Sequence, residues 1–202
     1  MAVREGLGYL KGRRVIQTTF TVDLVAMIFG MPRALFPALA HSQFHRGPAV
    51  VGYLLSAVGA GALIGALTTG WVSRVKHQGR AVVWAVAVWG AAIAGFGFAG
   101  PHLWIALGLL AVAGAADVIS AVFRGTILQL AVPDSLRGRL NGLHILVVTG
   151  GPRIGDFEAG MVAAATTPFV SVVSGGLACV VGVAVLSLLV PEFRRYHAGE
   201  RA

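Results

Sequence analysis

The chain has 202 residues, 56% of them hydrophobic and only 12% charged, with a net charge of +8 and a pI near 11. A soluble domain carries about a quarter charged residues, so this composition excludes an ordinary water-soluble fold. The basic residues are dispersed over short connections without a continuous stripe or interleaved aromatics, which excludes a nucleic-acid-binding surface and leaves membrane topology and anionic lipid headgroups to explain the charge.

Residues 1–14 (MAVREGLGYLKGRR) form a basic lead-in. Apolar runs able to cross ~30 Å of hydrocarbon, about 20 residues each, then follow at 15–40, 49–72, 81–99, 103–122, 140–165 and 169–190, ahead of a tail at 191–202. The first run is too long for a signal-peptide core and lacks a small-residue cleavage site, so insertion by an uncleaved first helix is expected. These are continuous apolar runs and not ten-residue alternations, which argues against a β-barrel. The expected fold is all-α, a polytopic bundle of six transmembrane helices in the lipid bilayer.

The connections alternate in charge. One side carries Arg4, Lys11, Arg13 and Arg14, then Arg74, Lys76 and Arg80, then Arg124, Arg137 and Arg139, and finally Arg194, Arg195 and Arg201; the other carries only Arg46. Basic loops stay cytoplasmic, so both termini are expected inside. The outer connections 41–48, 100–102 and 166–168 are short, which makes neighbouring spans antiparallel. In the inner connection 124–139, Pro133 stops what precedes it and Asp134 is placed to cap a helix beginning at Ser135. Small residues at Ala57, Gly61 and Gly65, and at Gly175, Gly176 and Gly182, are expected to bring helix backbones close together. The single cysteine, Cys179, excludes an internal disulfide and reads as an apolar filler.

Four of the eight acidic residues fall inside predicted spans: Asp23 in the first, Asp117 in the fourth, Asp156 and Glu158 in the fifth. Arg33 and Arg153 join them. A charge at the bilayer centre costs at least ~2.5–3.5 kcal/mol, whereas spans two, three and six carry none. Spans one, four and five are therefore expected to face a polar interior, with three and six as lipid-facing supports. In the fifth span Gly150, Gly151 and Pro152 are expected to break the helix. Arg153 and Asp156 share a face there and can pair, either as a structural bridge or as a gating, substrate-contacting pair. Glu158 lies on another face. Asp23 and Arg33, ten residues or ~15 Å of rise apart, each need other partners. Asp23 and Asp117 are candidate proton carriers, with pairing of Asp117 to Arg124, and snorkelling of Arg33, as the structural alternatives. His144 is polar lining or a proton relay. His41 and His45 have helical metal-ligand spacing but no Cys, Asp or Glu nearby, so no metal site is expected. No nucleophile setting surrounds Ser174, and no phosphate loop or dinucleotide fingerprint occurs. Neither an enzyme nor a bound cofactor is expected.

The inner connection Leu128-Gln129, Val132-Pro133-Asp134-Ser135-Leu136-Arg137-Gly138-Arg139 resembles that of the major facilitator superfamily, in its enterobactin-exporter-like and macrolide-efflux-like branch. The lead-in Arg4-Glu5-Gly6-Leu7-Gly8-Tyr9-Leu10, Ser174-Gly175-Gly176 and the ending Pro191-Glu192-Phe193-Arg194-Arg195-Tyr196 are similar too, so the resemblance covers essentially the whole chain. It implies the C-terminal six-helix half of a twelve-helix transporter in the bacterial inner membrane, with the seventh, eighth, tenth and eleventh helices lining a cavity. Gly70 to Gly79-Arg80, with Arg74, is similar to the superfamily's inner-loop gating motif, although Ser73 replaces its Asp. Gly151-Pro152-x-x-Gly155 is similar to its antiporter motif, with Asp156 in place of the final glycine. Pro133, Asp134, Arg137 and Arg139 would belong to the inner gate. The implied function is proton-coupled efflux of a small hydrophobic or siderophore-like molecule. The alternative is a truncated or split fragment, or an interaction subunit, that needs a missing N-terminal six-helix half or a second copy of itself.

Overall fold

The computed structural model describes residues 8, 10, 12–45 and 47–197. Most of the expected lead-in, Arg46 and Arg201 lie outside the described residues, as do the side chains of Ser73, Asp134 and Ser135. Among the described residues the chain is helical throughout, without strands. In order it forms α1 (Arg14–Phe29), a 3-10 turn (Arg33–Leu35), α2 (Phe36–Ser42), α3 (Ala49–Leu67), a second 3-10 turn (Thr69–Arg74), α4 (Gln78–Gly97), α5 (Leu103–Ala131), α6 (Asp134–Ala165), α7 (Pro168–Leu189) and the short α8 (Pro191–Arg195). Five segments are long and apolar enough to cross a membrane: Arg14–Ser42, Ala49–Leu67, Gln78–Gly97, Leu103–Ala131 and Pro168–Leu189. The remaining expected span, the fifth (140–165), lies within α6. At 32 residues it is long enough, but its polar and charged residues leave it less apolar than that set.

Small residues decide which helices touch. Gly61 and Gly65 of α3 lie against the backbone of Ala111 and Ala115 of α5, and Gly114 returns the contact to Val58. Gly176 of α7 meets Gly90 and Ala94 of α4, while Gly175 sits under the Phe29 carbonyl of α1. The resulting order is α3, α5, α4, α7, with α1 and α6 packed together and against α7. The main core runs through Leu54, Val86, Phe96, Leu110, Phe123 and Cys179, all buried. Cys179 is indeed a free, buried thiol.

Span three, expected on the lipid side, has 56% of its apolar stretch buried against neighbouring helices, against 22% for α3. Arg80, Trp84, Val88 and Ala91 form an exposed stripe along α4, while its glycines let α7 and α5 close on the remaining sides. One expectation is corrected: the break lies elsewhere. α6 runs unbroken through Gly150, Gly151 and Pro152, whereas the first span stops at Gly30 and resumes at Arg33. Both places combine glycine with a proline that removes an amide donor; what sets Gly30-Met31-Pro32 apart is that neighbouring helices offer partners to its freed backbone, Trp89 to the Gly30 carbonyl and Asp156 to the Ala34 amide.

α8 folds back onto the start of α4. Phe193 and Tyr196 are buried, and Gly79 lies so close to the Phe193 carbonyl that any side chain would collide with it. Arg14 and Glu192 pair at 3.5 Å, which puts the two ends of the described bundle on the same side.

Candidate functional site

The first span supplies Asp23 one turn after Thr18 and Thr19, whose hydroxyls are taken up by donation to the Arg14 and Val15 carbonyls. Asp23 has no exposed surface. Its charge is met by Arg124 of α5, whose Nη2 lies 2.9 Å from Oδ1, both side chains at 0–1% exposure. The same Nη2 stands 3.9 Å from Oδ1 of Asp117, one guanidinium between two carboxylates. On the other side, Nδ1 of His144 in α6 lies 3.4 Å from Oδ2 of Asp23, its ring held edge-on by Phe20. Three helices thus converge on one buried charge cluster. The contacts are short but not aligned as hydrogen bonds: both Asp23 oxygens and Nε and Nη1 of Arg124 have no such partner among the described residues. Coulomb attraction between Arg124 and the two carboxylates is what this geometry supplies.

The pairing of Asp117 with Arg124, seven residues or two turns further along one helix face, is one that the sequence offers. What it does not show is the burial of Arg124: the fourth apolar run ends at Val122, which makes Arg124 a loop cation, but α5 continues to Ala131 and encloses it against Asp23. Asp117 in turn lines a small cavity with Arg33, Pro32, Trp89 and Gly114. Arg33 therefore adjoins the far end of the cluster, in the 3-10 turn after the break.

That break is held from two sides. Trp89 Nε1 donates to the Gly30 carbonyl at 3.0 Å, and the Ala34 amide donates to Oδ1 of Asp156 at 3.2 Å. Backbone groups freed inside a membrane need such partners. The expected Arg153–Asp156 pair does not form: Asp156 turns to the first span, while Arg153 is exposed with no ion pair among the described residues. The two share a helix face, but the amide offered by the break draws the carboxylate away. Gly151 and Gly155 make the approach possible, an added side chain at Gly155 meeting the Met27 carbonyl at 2.5 Å. Glu158 is half-buried on another face.

The inner-loop candidates lie apart from the cluster. Gly70, Arg74 and Arg80 are exposed around the second 3-10 turn and the start of α4. α6 begins at Asp134 itself, one residue earlier than expected, with Pro133 as its flanking residue. Arg137 donates to the Gln129 carbonyl at 2.8 Å, closing the end of α5 onto the start of α6, and Arg139 is exposed nearby. Between these two helix ends lies a cavity of about 320 Å³ lined by Gln129, Arg137, Asn141 and His144. It brings open space to the imidazole that touches Asp23. Among the described residues there is no cluster of His, Cys, Asp and Glu able to hold a metal.

The profile of the transmembrane secretion effector family matches residues 1–199. Among curated proteins the chain is similar to the enterobactin exporter EntS of Salmonella typhi, 34% identical over 166 residues, covering 82% of this chain and 39% of that protein. It is also similar to the EntS proteins of Citrobacter koseri, 33% identical over 167 residues (82% and 39%), and of Escherichia coli O1:K1, 31% identical over 196 residues (93% and 46%). The chain thus spans less than half the length of these relatives. No solved structure matches it. With apolar helices built for a membrane and a match over nearly its entire length, this chain belongs to the transmembrane secretion effector family of the major facilitator superfamily, a family of transporters and not of enzymes.

Proposed function

We propose that the chain is a six-helix half of a proton-coupled exporter in the bacterial inner membrane, moving a small hydrophobic or siderophore-like molecule. In this reading α6 is the fifth of six spans and both ends are cytoplasmic. At 32 residues α6 rises ~48 Å, and the basic residues gather on the side where α1 begins and α8 ends. Residues 15–190 act as one membrane bundle, with the lead-in and tail as its cytoplasmic flanks. The opposing wall of the cavity comes from a second six-helix bundle, as in transporters built from two halves. The substrate class follows the enterobactin exporters to which the chain is similar.

The observation that carries the reading is the Asp23–Arg124–Asp117 cluster with His144 at its edge. Intramembrane charges of this kind mark ion and proton paths. A proton arriving through the cavity beside His144 neutralises Asp23, and Arg124 is left to the Asp117 carboxylate 3.9 Å away. Loss of that proton restores the first pairing. Two arrangements of one guanidinium would thus tie α5 alternately to α1 and to its own helix, the bistable element that alternating access needs. Arg33 extends the charged line toward the opposite mouth, and Asp156 holds the broken span in place.

The test is transport in proteoliposomes containing the chain with its opposing bundle. A pH gradient should drive efflux of a catecholate probe, and Asp23→Asn should abolish the dependence on the gradient. Gradient-driven efflux by that variant at the normal rate would refute the coupling role. A second reading, a membrane subunit that is silent until paired, is favoured by the exposed apolar flank of α3 (Leu63, Ile64, Leu67). It predicts no transport by the chain alone and restoration on co-expression with an opposing half.

A further inference from the structure

A second cavity, of about 580 Å³, lies where the start of α4, the end of α7 and α8 meet. It shares no residue with the Asp23 cluster. Its wall carries Arg80 and His77 from the α4 side and Arg194, Arg195 and His197 from the α8 side, with the two imidazole rings 4.2 Å apart. Among the described residues no carboxylate lines it, and the neighbouring Glu192 is directed to Arg14 at 3.5 Å. Its remaining wall is formed by Val83 and Trp84, with Ser187 of α7 beside them, and Trp84 is 68% exposed. Cations on one wall and an exposed aromatic on the other, within the first two turns of a membrane-crossing helix, match an amphiphile with an anionic head.

The arginines are also held in place. Arg194 and Arg195 ride on α8, which is anchored by buried Phe193 and Tyr196 and seated in the gap that Gly79 leaves. We propose that this cavity binds the phosphate diester headgroup of an anionic phospholipid, with Trp84 lying along its acyl chain. Basic pockets between membrane helices take such headgroups, and interfacial tryptophan is at home where polar and apolar layers meet. A soluble phosphate would satisfy the arginines but leave the Trp84 wall unused.

Native mass spectrometry of the purified, delipidated full chain tests this, with phosphatidylglycerol and phosphatidylcholine as probes. Phosphatidylglycerol should be retained in preference to phosphatidylcholine. Occupancy should fall about fivefold for each arginine removed, through Arg195→Gln and then the triple variant Arg80→Gln/Arg194→Gln/Arg195→Gln. Arg74→Gln, a basic residue at the same end that does not line the cavity, should bind as the unmodified chain does. If the triple variant does not fold, the single Arg195→Gln variant decides. Unchanged phosphatidylglycerol selectivity in the variants would overturn the proposal. Displacement of the lipid by inorganic phosphate at equal concentration would overturn the lipid assignment.

Discussion

Replacing Arg124 by Gln removes the only cation within 4 Å of both Asp23 and Asp117 among the described residues. Asp23 has no exposed surface, so it then keeps only His144 at 3.4 Å, while Asp117, with 22% of its side chain exposed, loses less. Removing one partner of a buried ion pair costs about 3–5 kcal/mol, since the other charge is left uncompensated. For a chain of this size each kcal/mol shifts Tm by about 2–4 °C, so Arg124→Gln should lower Tm by roughly 6–20 °C. Asp23→Asn should cost about half as much, since Arg124 retains the Asp117 carboxylate 3.9 Å away. In the double variant no uncompensated charge remains at Asp23, and much of the loss should be recovered. The assay is thermal unfolding in one detergent by circular dichroism, run as a double-mutant cycle. Equal shifts for the two single variants, or shifts that simply add, would refute the pairing.

Three further outcomes follow from the contacts. Trp89→Phe strips the buried Gly30 carbonyl of its donor and should cost about 1–3 kcal/mol, read as a fall in Tm that Trp84→Phe, on an exposed side chain, does not produce. Asp156→Asn keeps an acceptor for the Ala34 amide and should leave Tm and transport near normal, whereas Asp156→Ala should lower both; equal losses would show that the charge matters and not the acceptor. Gly79→Val should lift α8 from its seat, making the segment after Pro191 the first site of limited proteolysis, and an unchanged cleavage pattern would contradict the close contact at Phe193.

Helices were legible wherever apolar length alone defined them. Runs two, three and six lie within a few residues of α3, α4 and α7, because continuous apolar residues between basic connections leave few alternatives. The charged spans were harder to read. Ending the fourth run at Val122 treated Arg124 as a loop residue, since hydropathy assigns an arginine to water unless its partner is known, and that partner, Asp23, lies 101 positions away. Pro152 drew the expected break to α6, where a long helix absorbs one missing donor. The true break at Gly30–Pro32 depends on acceptor and donor groups from α4 and α6 that no local pattern announces. Arg153 reads as the available partner of Asp156 for the same reason: spacing along one helix is visible in sequence, and the amide of Ala34 in the first span is not.

The interrupted first span has a mechanical consequence. Below the joint, Asp23 is moored to α5 through Arg124; above it, Ala34 is moored to α6 through Asp156, and the joint itself is pinned to α4 by Trp89. In the proposed transport cycle a sliding of α5 against α6 would therefore bend this span at residues 30–32, and a change of charge deep in the bundle would be passed on as a change of shape at its opposite mouth.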